Sequence, residues 1–126
     1  MAVDIVAEYA RGVRDFSGVD LSGADLSGVD LSAADLQGAN LSNCNLSGAN
    51  LQNANLSGAN LDGANLRGAN LSWADLQCAN MESADLRDAD LSFSKMLGAR
   101  LRYSDRTGAI LIGTDLRDTR LGDNKW

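Results

Sequence analysis

Residues 39–53 read Ala39-Asn40-Leu41-Ser42-Asn43, Cys44-Asn45-Leu46-Ser47-Gly48, Ala49-Asn50-Leu51-Gln52-Asn53. The five-residue unit continues outward in both directions and never slips. Twenty-two centres, at every fifth position from Phe16 to Leu121, hold eighteen leucines together with Phe16, Met81, Met96 and Arg106. Two residues before nearly every centre stands a small residue. It is alanine in most units, Val19 and Val29 early, Cys44 once, and Ser94, Ser104, Thr114 and Thr119 late. Asp or Asn usually comes just before the centre. Ser, Gln or Arg usually follows it, and then Gly or another small or polar residue. A short fixed repeat dictates architecture before anything else is read.

A period of five matches neither the helical period of about 3.6 nor the strand period of about 2. A chain that turns residues 1 and 3 of each five inward makes a short straight side and then a corner. Glycine at the corner adopts positive φ at little steric cost. Coils built this way stack backbone on backbone about 4.8 Å apart. Alanine at the second inward position leaves room for leucines to fill a narrow interior. Each unit buries its apolar side against its neighbours, so a chain with only 5 % aromatic residues still closes a core.

The run Ala-(Asp/Asn)-Leu-Ser-Gly resembles the pentapeptide-repeat family, and the match extends over about residues 14–123. The resemblance implies an all-β fold, a right-handed quadrilateral β-helix with four units per coil. Twenty-two units then give roughly 5.5 coils, a body about 26 Å long. The division expected is an N-terminal helical cap at 1–13, a β-solenoid at 14–123 and a tail at 124–126. Within residues 2–12, Val6, Tyr9 and Ala10, followed by Val13, fall at helical spacing, and Gly12 is placed to end the helix.

Composition removes several functions. Histidine is absent, and with it the commonest general base and metal ligand. The glycines follow the five-residue period, not a phosphate-loop spacing. No cofactor is expected, and no enzyme. Cys44 and Cys78 lack zinc-site or redox spacing, and a reduced state is expected for both. Net charge is −6, which disfavours direct binding of nucleic acid or an anionic membrane. No apolar run approaches the roughly 18 residues of a membrane span. The N-terminus is acidic and unlike a signal peptide, so the reading is a soluble, cytoplasmic protein. Periplasm or thylakoid lumen is the alternative, for a chain from which a signal has been removed.

Three groups stand out as candidate sites. If residues twenty apart stack, Trp73, Phe93, Ile110 and Ile112 gather on one outer face, a contact surface for an unknown protein or for weak self-association. Asp15, Asp20, Asp25, Asp30 and Asp35 form a candidate acidic face; residues 1–35 carry seven acids against two arginines, a net of −5. Some members of the resembled family imitate duplex DNA and bind DNA gyrase, and these acids invite that reading. Duplex DNA, however, carries one charge per about 1.7 Å, or roughly 15 over this length. Arg106 takes a centre, and Trp126 lies four units later on the same side. Arg106 either crosses the interior near the open end, stacking on Trp126 or meeting Asp105, or turns to solvent in a local bulge. Asn40, Asn60 and Asn80, with Asn45/Asn65 and Asn50/Asn70, are expected to stack as amide ladders. The function expected is a non-catalytic structural or protein-interaction module. The alternative is a DNA mimic acting on a type II topoisomerase.

Overall fold

The computed structural model describes residues 4–122. Asp15 pairs in parallel with Asp35, Asp20 with Asn40, Asp25 with Asn45 and Asp30 with Asn50. The same step of twenty holds as far as Arg100 with Arg120. Four units therefore complete one coil, and the rod has four sides. Side 1 carries the column from Asp15 to Asp115, side 2 from Asp20 to Arg120, side 3 from Asp25 to Asp105 and side 4 from Asp30 to Ile110.

Every backbone N–H of a regular unit has a destination, as the unit 34–38 shows. Ala34 N–H closes a turn on Leu31 O at 3.1 Å, and Asp35 N–H reaches back one coil to Arg14 O at 2.7 Å. Leu36 N–H and Gly38 N–H reach forward one coil, to Asn55 O at 2.7 Å and Ser57 O at 3.0 Å. Gln37 N–H, which faces no coil, donates to its own neighbour's side chain, Asp35 Oδ1, at 3.1 Å. Asp or Asn is thus required before the centre because its short side chain supplies the acceptor two residues on. This corrects the expected amide ladders. Asn40, Asn45, Asn50 and Asn60 each spend their Oδ1 on the N–H of residues 42, 47, 52 and 62, at 3.0–3.1 Å.

The third residue of each turn has positive φ, the signature of a type II turn. Glycine fills many of these corners, but ten other residues adopt the same conformation, among them Trp73 (φ 62), Phe93 (φ 59) and Tyr103 (φ 64). Bulky side chains are rare there.

The core is one column of centres per side with the small residues between them. Leu31 to Leu101, with Met81 and Met96, are sealed from solvent, and alanines at the small position are equally buried. Ser94 and Ser104 enter the core by donating their hydroxyls to Leu91 O and Leu101 O at 2.8 and 2.7 Å. Leu111, Leu116 and Leu121 are only half-buried. They belong to the last described coil, where no further layer lies over them among the described residues.

Helix α1 spans Ile5–Ala10, shorter than the expected 2–12, of which residues 2 and 3 lie outside the described residues. Asp4 starts it by accepting from Ala7 N–H at 3.1 Å. Gly12, at φ 97, follows its end. The face turned to the rod is the expected one only at Tyr9. Ile5 is buried in the core and Tyr9 packs against it, whereas Val6 and Val13 are exposed. Tyr9 decides the orientation: its hydroxyl donates to Ser32 O at 2.8 Å, and Arg14 lies 3.6 Å over its ring. Four residues back along the helix, Ile5 then points the same way.

Candidate interaction surface

The unit around Leu71 places Trp73 at a corner of side 4, and the unit twenty residues later places Phe93 directly on the next layer. Their rings stack at 4.7 Å between centroids and 16° between planes. Phe93 N–H donates to Ile112 O at 2.8 Å, fixing the register of the layer above. In that layer the corner is Gly113. A Cβ there would stand 2.5 Å from Phe93 Cδ1, so the phenyl ring occupies space that any side chain at 113 would need. Ile110 precedes the centre of the same unit and is 43 % exposed; Ile112 follows it at 66 %. Trp73 and Phe93 keep 58 % and 43 % of their surface in solvent. One edge of a polar rod thus carries exposed apolar side chains on three successive layers.

The five acids do not form a face. A step of five moves one side around the coil, so Asp15, Asp20, Asp25 and Asp30 sit on four different sides, and Asp35 lies above Asp15. The result is a collar. Each carboxylate also serves its own turn. Asp15 Oδ1 accepts from Ser17 N–H at 3.1 Å and from Ser17 Oγ at 2.8 Å, and Asp25 does the same with Ser27. These bonds hold the carboxyls of Asp15, Asp20, Asp25 and Asp30 below the usual carboxylate range.

Arg106 is half-buried rather than bulged out to solvent. Its Nη1 donates to Ser104 Oγ at 2.9 Å and to Leu101 O at 3.2 Å, and burial pushes its pKa down. Trp126, its expected cover, lies outside the described residues. Cys44 is buried with Sγ 2.7 Å from Leu21 O, and burial pushes its thiol up; Cys78 is exposed on another side, and both are free.

Sequence reasoning passed over Tyr103. It occupies the corner of side 2, in the column Asn43, Gly63, Ser83, and is 67 % exposed. Its signal was available, since it is the third bulky residue at a position built for glycine.

The comparisons agree with this geometry. A family model for pentapeptide repeats matches in 8 copies, over residues 15–53, 44–82, 54–92, 64–102 and 84–123. Comparison with curated proteins returned no significant match. Among solved structures, a pentapeptide repeat protein of the Arabidopsis thaliana thylakoid lumen is 34 % identical, with 82 % of this chain and 72 % of that chain covered and a TM-score of 0.80. Rfr23, a pentapeptide repeat protein of the cyanobacterium Cyanothece 51142, is 28 % identical over 90 % of this chain and 96 % of its own, with a TM-score of 0.57. QnrB1, a plasmid-mediated fluoroquinolone resistance protein, in a trypsin-treated form, is 22 % identical over 90 % and 70 % of the two chains, with a TM-score of 0.62; that likeness concerns the fold alone. Five-residue register, four-sided coil and matched repeats lead to one conclusion: the chain belongs to the pentapeptide-repeat family, whose fold is the right-handed quadrilateral β-helix.

Proposed function

We propose that the chain is a non-catalytic protein-interaction module in which a stiff solenoid displays an apolar strip to a protein partner. The observation that carries this is the Trp73–Phe93 stack continued by Ile112 and Ile110. Two bulky residues take a left-handed backbone conformation, at a cost of about 1 kcal/mol or more each, to stand in water where glycine would serve the fold better. Exposed aromatic anchors of this kind dominate protein contacts. In the same reading, α1 closes the first coil through Ile5 and Tyr9, residues 1–13 form that cap, 14–123 the solenoid and 124–126 a tail, and the setting is soluble and cytoplasmic. No helix among the described residues is long and apolar enough to cross a membrane.

Sedimentation velocity and affinity capture, run on wild type and on Trp73→Ala/Phe93→Ala, test the proposal. We expect a captured protein, or a concentration-dependent dimer, that the double variant loses. Identical behaviour of the two proteins in both assays would end it. The DNA-mimic alternative draws less support. Its acids form a collar around one coil, each engaged in a turn, and Asn40 to Asn70 leave the middle of the rod neutral. No change in gyrase supercoiling at micromolar excess of the protein would remove it.

A further inference from the structure

Four described units replace the Asp or Asn that precedes the centre with Lys95, Arg100, Ile110 or Arg120. None of these residues offers the oxygen that closes the turn elsewhere. Two replacements have local explanations. Lys95 sits between Asp75 below and Asp115 above, so its column alternates in charge. Ile110 extends the apolar strip. Arg100 and Arg120 have no acid on an adjacent rung of their own column to alternate with, and among the described residues only Arg100 has an ion pair across coils, to Glu82. They are paired rungs of one column on side 2, like charges on adjacent layers, an arrangement that costs stability. Arg102 stands two residues beyond Arg100 on the same side. Its guanidinium lies 5.0 Å over the Tyr103 ring, itself exposed and held at φ 64. Among the described residues the carboxylate paired with Arg100 is that of Glu82, whose Oε1 lies 4.0 Å from Nε. Among the described residues no carboxylate forms an ion pair with Arg102 or Arg120. Lost turn acceptors, stacked like charges and a bulky left-handed corner thus coincide on two layers.

We infer that the last two rungs of side 2 are a docking surface for a short acidic segment of a protein partner. Guanidinium forks match carboxylates in geometry and in charge. The exposed Tyr103 ring adds an apolar edge for the stems of Glu side chains. Length is set by what lies below. Down the same side come Glu82, Asp62 and finally Asp20, which stands four rungs beneath Arg100, about 19 Å away. A long polyanion such as nucleic acid would run onto these acids, whereas a few consecutive carboxylates would not. Guanidinium groups spread over two rungs suit several charge contacts along a peptide better than a single small anion. This site is separate from the aromatic strip, which lies at a corner of side 4.

Fluorescence anisotropy with a dye-labelled hexaglutamate peptide, on the full chain at about 50 mM salt, tests the inference. We expect saturable binding that weakens at about 300 mM salt. Arg100→Glu/Arg120→Glu should weaken it at least about tenfold, while Arg67→Glu on side 3 should change it less than about twofold. The neutral pair Arg100→Gln/Arg120→Gln should fall between, and circular dichroism melts establish that each variant is folded. Amide shifts of the wild type on adding peptide should centre on residues 100–103 and 120 and spare 40–60 in the same column, a readout that needs no variant. Absence of saturable binding would overturn the inference. So would equal weakening by Arg67→Glu, or equal affinity for a single-stranded hexanucleotide. Low-salt self-association abolished by the charge reversal would reassign the surface to the acidic first coil of a second copy. Trp73→Ala should leave peptide affinity unchanged, so failure of the aromatic-strip reading and failure of this one are told apart.

Discussion

Replacing Gly113 with alanine should do more damage than the same change at another corner, and the difference measures the aromatic stack. Gly113 has φ 67, so alanine carries the left-handed penalty of about 1 kcal/mol. Gly58 has φ 64 and open space around the added Cβ, so Gly58→Ala incurs that penalty alone. At 113 the new Cβ would also lie 2.5 and 2.6 Å from Phe93 Cδ1 and Cε1. The ring must move, and its far face is already stacked on Trp73 at 4.7 Å. Disrupting that pair forfeits a further 0.5–1.5 kcal/mol, roughly. Gly113→Ala should therefore lose about 1.5–2.5 kcal/mol against about 1 for Gly58→Ala. Urea unfolding gives both values. Amide exchange at Phe93, whose N–H donates to Ile112 O, reads the local effect if the end rungs open separately. Near-ultraviolet circular dichroism should report the altered Trp73 environment. In a Phe93→Ala background the cost of Gly113→Ala should fall back to about 1 kcal/mol. Equal losses at 113 and 58, or an unchanged cost without the phenyl ring, would show that the stack does not depend on the vacant corner.

Three further outcomes follow from the same geometry. Leu56→Ala, at a centre with no solvent exposure, should cost about 2–5 kcal/mol in urea, because the layers above and below are tied by backbone bonds and collapse poorly onto the void. Asn60→Ala removes the acceptor of Asp62 N–H and should lower stability by about 0.5–1.5 kcal/mol, whereas Asn60→Asp should keep most of it. Acid should weaken the N-terminal coil. The carboxyls of Asp15, Asp20, Asp25 and Asp30 have folded pKa values below their unfolded ones, so ionisation favours the folded state. That contribution is complete above about pH 4 and is lost as pH falls through the folded values. Amide exchange in the first coil should quicken over that window. Asp→Asn at these four positions should flatten the dependence.

Much of the solenoid was legible because the repeat is local. The centre, the small residue and the corner each recur at a fixed offset, and four units per coil then put Trp73, Phe93 and Gly113 in line, with Ile112 beside the last. Other features depended on which side chain reached what. The helix pattern pointed to Val6 and Val13, but Ile5 is the residue buried, since the Tyr9 hydroxyl anchors to Ser32 and turns that stripe inward. The asparagine columns looked like amide ladders until the backbone accounting showed an N–H with no coil to bond. Arg106 left two placements open in the sequence, and the hydroxyl of Ser104 and the carbonyl of Leu101 hold it half inside.

By itself the sequence determined the register: an uninterrupted period of five fixes which residue points inward, and burial of leucine and alanine enforces it over the whole rod. Only the tertiary structure decided what shares a side. A step of five carries each residue around a corner, so neighbours in sequence such as Asp15 and Asp20 part company. Residues twenty apart meet through backbone bonds between coils, and those bonds bring Trp73 under Phe93 and Arg100 under Arg120.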